Sequence, residues 1–160
     1  MTLVPRSTVL LVDDGLAERK LFAMAGAKAG VGYCLREVGD GFEAINYLKG
    51  EGPYADRKEH PLPALVVLDV NMPGMSGFEV LDWIREYPPT RDLPVVMWTS
   101  STCEQDMGRA YARGANSYLV KPLSLLSLVD MVRAIEDYWL KLNRVPCAAG
   151  AAACVAQPAA

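Results

Sequence analysis

Three short runs of apolar, largely β-branched residues constrain the fold most strongly: Thr8–Val12 (TVLLV), Leu65–Leu68 (LVVL) and Val95–Met97 (VVM). They are continuous rather than alternating, which suits strands buried on both faces of a sheet. Weaker runs lie at Tyr33–Val38 and Ser117–Val120. The segments between them carry helical spacing. Leu125, Leu128, Val129, Val132, Ile135 and Trp139 recur at steps of three and four, one face of a helix. This predicts a last helix over Leu125–Leu142, about 18 residues and roughly 27 Å long. Met107, Ala110, Tyr111 and Gly114 mark a shorter helix over about Cys103–Arg113. Earlier helices are predicted at about Leu16–Ala29 and Phe42–Lys49. Strand and helix alternate five times, which implies an α/β fold: a doubly wound parallel sheet with right-handed crossovers and helices on both faces.

Composition narrows the function classes. A chain of 160 residues, 51% apolar, has enough apolar surface for one globular core. A net charge of −3 and the absence of a basic run give no electrostatic reason to bind nucleic acid. No apolar stretch is long enough to span a membrane, and the start is too short for a signal peptide before Asp13 and Asp14 interrupt it. The four cysteines, Cys34, Cys103, Cys147 and Cys154, show no paired spacing and read as reduced thiols of a cytoplasmic protein. The one histidine, His60, reads as a solvated loop residue. One histidine makes zinc or histidine-based nucleophilic catalysis a poor fit. Residues Gly50–Pro63 form a long polar connection, read as a tolerated surface insertion rather than a partner contact. The segment 145–160 is half alanine and uncharged, and is expected to be a flexible tail.

The chemistry gathers at the strand ends. TVLLV runs into Asp13-Asp14, LVVL into Asp69, VVMW into Thr99-Ser100-Ser101 and SYLV into Lys121-Pro122. Each residue alone has a plain reading as a helix cap, a turn residue or a solvated charge. Together they fall at the same end of successive strands, where open parallel sheets bind ligands. Clustered carboxylates repel one another and favour a cation, and a small all-oxygen set suits Mg²⁺. Mg²⁺ beside a carboxylate, a lysine and a hydroxyl is a phosphoryl-transfer environment. No phosphate-binding GxxxxGK[ST] loop is present, so a carboxylate nucleophile forming an aspartyl phosphate fits better than a bound nucleotide.

VLLVDD, LVVLDVNMPGMSGFEVL, PVVMWTSS and GANSYLVKP, in that order, resemble the receiver domain of bacterial two-component response regulators. The resemblance covers Thr8 to Leu142. It implies a single receiver domain over 1–144 with no output domain, in the flavodoxin-like fold of strand order 2-1-3-4-5. It further implies that Asp69 is phosphorylated, and that Asp13, Asp14, Asp69 and the backbone carbonyl of Asn71 hold Mg²⁺. Thr99 becomes the switch hydroxyl and Tyr118 the switch aromatic. Lys121 pairs with the phosphoryl group or, before phosphorylation, with Asp69. A cis bond at Pro122 also fits that family. Ser100 stands where many receivers have alanine, and could share the switch contact. Trp98 stands at a usually aliphatic position and reads as core packing.

In this reading, phosphorylation draws Thr99 inward and Tyr118 fills the vacated space, changing the face made by the fourth helix, fifth strand and last helix. The end of the last helix, DYWLKL, offers more apolar surface than one sheet face covers. Tyr138, Trp139 and Leu142 are therefore candidate dimer contacts, with folding back onto the core as the alternative. GEGPYAD, the TSS strand end, YARGANSYLVKP and RAIEDYWL resemble the stand-alone response regulators associated with phytochrome-type sensor kinases. This implies a histidine kinase partner, a homodimer and an unidentified downstream protein. The competing enzyme is a Mg²⁺-dependent phosphatase of the haloacid-dehalogenase type. It needs a carboxylate two residues after the nucleophile, where this chain has Asn71. A scaffold that has lost phosphorylation is opposed by the complete set of Asp13, Asp14, Asp69, Thr99 and Lys121.

Overall fold

The computed structural model describes residues 6–146. Five strands form one parallel sheet: β1 (Thr8–Val12), β2 (Cys34–Val38), β3 (Leu65–Asp69), β4 (Val95–Thr99) and β5 (Ser117–Val120), in the order β2-β1-β3-β4-β5. Every residue of the three central strands is buried, whereas β2 and β5 are partly exposed edges. This explains why the central strands read as unbroken apolar runs and the edges as weak ones.

Five helices cover the sheet: α1 (Leu16–Ala29), α2 (Gly41–Lys49), α3 (Gly77–Glu86), α4 (Glu104–Ala112) and α5 (Leu125–Ile135). Strand alternation splits the core in two. Val9, Leu11, Val67, Val96 and Trp98 pack with Phe22 of α1 and Leu128 and Val132 of α5. Leu10, Val12, Leu68 and Met97 pack on the other face with α2, α3 and α4 through Tyr47, Leu81, Ile84 and Ala110. Trp98 is a core residue, as expected; it is 3% exposed and meets Phe22 edge to face at 5.5 Å.

Several expectations are corrected. The last helix reaches Leu142, but Glu136–Leu142 is wound as a π-helix continuing α5. There Glu136 is buried, and its Oε1 accepts from the Gly32 N–H at 2.6 Å. Trp139 packs partly on its own core, while Tyr138 and Leu142 stay exposed. The described peptide bonds are all trans, so the cis bond expected at Pro122 is not found. His60 is half-buried rather than freely solvated: it stands edge to face with Tyr47 and Tyr54. The 50–63 connection around it is tied down, because Arg57 donates to the carbonyls of Tyr47, Leu48 and His60. Cys34 and Cys103 are free thiols. The segment expected as a tail, with Cys147 and Cys154, lies outside the described residues apart from Val145 and Pro146.

Candidate functional site

Register brings the polar strand ends into line. Val12 pairs with Leu68, Asp69 with Trp98 and Thr99 with Val120, so Asp13, Asp69, Thr99 and Lys121 emerge along one edge. Carboxylate oxygens of Asp13, Asp14 and Asp69 lie within 4.8 Å of one another. Asp13 and Asp69 are buried and Asp14 is exposed at the rim. Asp13 is held from several sides. Its Oδ1 accepts from the Gly15 N–H at 2.8 Å, and Arg19 donates to its carbonyl.

Lys121 is the cation of this pocket. Its Nζ lies 2.6 Å from Asp13 Oδ2 and 3.6 Å from Asp69 Oδ1. The expected pairing with Asp69 is therefore the looser of two contacts, and Asp13 is the direct partner. Burial, with the neighbouring charges of Asp13 and Asp14, pushes the Asp69 carboxyl up to about 6. Lys121 and the backbone N–H of Asn71 hold it below where burial alone would carry it. A carboxylate flanked by two others and one lysine is short of positive charge. The donors are hard oxygens, so the residues present fit Mg²⁺.

The loop after β3 is shaped by glycine. A Cβ on Gly77 would stand 2.0 Å from the Asp69 carbonyl oxygen, so only hydrogen can face that strand end. Gly74 turns the chain with φ +80°. Ser76 then caps α3: its N–H is accepted by Glu79 Oε2 at 2.8 Å, and its Oγ accepts from the Glu79 N–H.

Thr99 is fully buried, and its Oγ1 accepts from the Ser101 N–H at 3.1 Å. Ser101 in turn donates to Asp106 Oδ2 at 2.8 Å and accepts from the Cys103 N–H, tethering the start of α4. Ser100 is exposed. Tyr118 is already inward, 9% exposed, and donates to the Ser101 carbonyl at 3.1 Å. Burial pushes its phenol up. Tyr118 thus stands inward in this structure while Thr99 is hydrogen-bonded to Ser101.

Sequence reasoning missed Arg19 and Gly77. Arg19 lies one turn into α1 and reaches back to Asp13, a contact whose signal is only a cation spaced a helical turn beyond the carboxylate pair. Gly77 stood within the quoted MSGFEV, yet its steric role needed the loop path.

Residues 9–133 match the response regulator receiver domain. The chain belongs to this family. The receiver is 38% identical over 141 residues to the probable methanogenesis regulatory protein FilR2 of Methanothrix harundinacea, covering 86% of each chain. It is 34% identical to response regulator Rcp1 of Synechocystis over 90% of this chain and 96% of that one. Among solved structures, the receiver is similar to response regulator RPA3017 in red light signaling of R. palustris, with TM-score 0.82 and 32% identity over 88% of this chain and 98% of that one. It is also similar to the phosphorylated cyanobacterial phytochrome response regulator RcpA, with TM-score 0.80 and 35% identity over 88% and 99% of the two chains. The crystal structure of Rcp1, similar at TM-score 0.76 and 34% identity over 88% and 99%, is of a Mn²⁺-bound form. This agrees with the oxygen cluster of Asp13, Asp14 and Asp69. Among the described residues no helix is long and apolar enough to cross a membrane.

Proposed function

We propose that this receiver accepts a phosphoryl group on Asp69 from a sensor histidine kinase, with Mg²⁺ held by Asp13, Asp14, Asp69 and the Asn71 carbonyl. The observation that carries this is the buried Asp69 carboxylate, within 4.8 Å of two others and 3.6 Å from Lys121 Nζ. A carboxylate oxygen of Asp69 attacks phosphorus of the phosphohistidine. The P–N bond breaks as the P–O bond forms, and the departing imidazole keeps the electron pair. When bound there, Mg²⁺ would supply positive charge to offset that of the carboxylates and the phosphoryl oxygens. Lys121 supplies a further positive charge, and the Thr99 hydroxyl a hydrogen bond to a phosphoryl oxygen. Asn71 can offer an amide but no proton at the general-acid position, which disfavours a phosphatase acting on free substrates.

The chain is read as a cytoplasmic phosphoacceptor rather than an enzyme with an external substrate. Likeness to RcpA and to RPA3017 supports a phytochrome-type kinase as donor. Output runs through the α4-β5-α5 face, reached from Thr99 by way of Ser101 and Tyr118. Exposed Tyr138 and Leu142 support a homodimer built on the π-helical end, with a downstream protein reading the result.

The test is intact-mass analysis after incubation with acetyl phosphate and Mg²⁺. The wild type is expected to gain about 80 Da, one HPO₃ group, as an acid-stable and base-labile adduct that Asp69→Ala lacks. An unlabelled wild type, or an equally labelled variant, refutes the assignment. For the dimer, light scattering should show Leu142→Asp shifting the protein to monomer; equal masses refute that interface.

A further inference from the structure

The 50–63 connection has a role that phosphoryl transfer does not absorb. It lies over the amino ends of β1, β2 and β3 and borders an open groove of about 580 Å³, whose lining includes Arg6, Arg36, Arg57 and Lys58. Five residues of β1, at about 3.3 Å each, set this groove about 17 Å from Asp13, at the opposite edge of the sheet. Four cations meet there in a chain whose net charge is −3. None forms an ion pair with a carboxylate among the described residues. Glu59 is the one acidic residue of the lining, and Arg36 meets its backbone carbonyl rather than its carboxylate, at 2.7 Å. Arg36 Nε is buried with no partner.

The donors left over define the ligand. Three backbone N–H groups at the groove are spent, Cys34 on the Ser7 carbonyl, Ala64 on the Thr8 carbonyl and Lys58 on Asp56 Oδ1. The Arg57 guanidinium is turned to three carbonyls and serves mainly to hold the loop and close the end of α2. What remains are separated charges on Arg6, Arg36 and Lys58, beside an apolar wall of Pro61, Leu62 and Ala64. Spaced cations against an apolar wall suit carboxylates alternating with apolar side chains.

We propose that this groove is a docking site for an acidic peptide segment of a partner protein, with carboxylates interleaved by apolar residues. Engagement there leaves the Asp69 pocket open, so a partner can be held while phosphoryl transfer proceeds.

Fluorescence anisotropy tests this on the full chain, with a labelled peptide of alternating glutamate and leucine and its glutamine counterpart. The glutamate peptide is expected to bind at about 20 mM NaCl and weaken at about 200 mM, where screening is strong. The glutamine peptide should not bind. Arg36→Gln with Lys58→Gln should weaken binding about tenfold, the scale of two exposed charge pairs. Lys58→Gln alone, at an exposed loop position, should weaken it less and guards against a folding defect in the double variant. Labelling of Asp69 by acetyl phosphate should be unchanged in both. Failure of the glutamate peptide to bind, equal binding of the glutamine peptide, or affinity unchanged in the variants overturns the proposal. So does displacement by tripolyphosphate or oligothymidylate as effective as by peptide at equal charge, which marks a general anion site.

Discussion

Replacing Asp69 with asparagine is expected to stabilise the fold at neutral pH. The folded-state carboxyl lies at about 6, against 3.8 for the same group free in water. The fold therefore holds the proton on Asp69 more tightly than the unfolded chain does. Between pH 4 and 6 the folded state binds more protons, so stability falls as pH rises, and the loss is complete above about 6. At about 1.4 kcal/mol per pH unit, ionised Asp69 destabilises the fold by up to about 3 kcal/mol. Exposed Asp14 lets water screen part of this, which brings the expected effect to about 1–3 kcal/mol. Asparagine keeps the size and removes the charge. Thermal unfolding at pH 8 without divalent cations should then show Asp69→Asn melting about 3–9 °C higher, at about 3 °C per kcal/mol. At pH 5 roughly half of the gain should remain. Mg²⁺ should narrow the gap, because it binds the folded wild type with its full carboxylate set. No gain at pH 8, or a gain undiminished at pH 5, refutes the charge-crowding account.

Further outcomes follow from other contacts. Lys121→Ala strands buried Asp13 and leaves Asp69 without its cation; denaturant unfolding should show a loss of about 2–4 kcal/mol, and NMR titration should place the Asp69 carboxyl above about 6. Gly77→Ala drives a methyl group into the Asp69 carbonyl and should lose more than about 2 kcal/mol, with labelling by acetyl phosphate reduced. The Tyr54 phenol, pushed up to about 12 by burial and by its contact with Glu43, should titrate closer to 10 in Glu43→Gln, read as the spectrophotometric difference from Tyr54→Phe. Glu136→Gln replaces the charged acceptor of the Gly32 N–H and the partner of Lys141. Hydrogen exchange should then quicken at Gly32 and across 136–142, with a stability loss of about 1–2 kcal/mol.

Much of the fold was legible because burial leaves a local trace. β1, β5 and α1 lie where their runs predict, and β3 and β4 extend beyond theirs, β3 by the polar Asp69 and β4 by Trp98 and the polar Thr99. The third helix was only implied by alternation. Its start depends on the Gly74 turn and the Ser76 cap rather than on a long apolar face. The Leu125–Leu142 periodicity gave the helix its length but not its winding. The π-helical end carries a buried Glu136 whose partner, Gly32, is 104 residues away in the chain.

For the site, the chain order of Asp13-Asp14, Asp69, Thr99 and Lys121 was enough to propose convergence, because in a parallel sheet every strand delivers its carboxyl end to the same edge. Which charge sits on which was a tertiary matter. Lys121 lies closer to Asp13, at 2.6 Å, than to Asp69, at 3.6 Å, and Tyr118 is inward. His60 looked solvated because its neighbours in sequence are polar. It is half-buried because Tyr47 and Tyr54 stand edge to face with it, and Arg57 ties its carbonyl to those of Tyr47 and Leu48. Periodicity and strand-end chemistry are properties of segments, so the sequence alone determined the sheet, its helices and the acidic edge. Partner choice among charges and the assembly of the basic groove depend on distances between segments, and only the folded chain sets those.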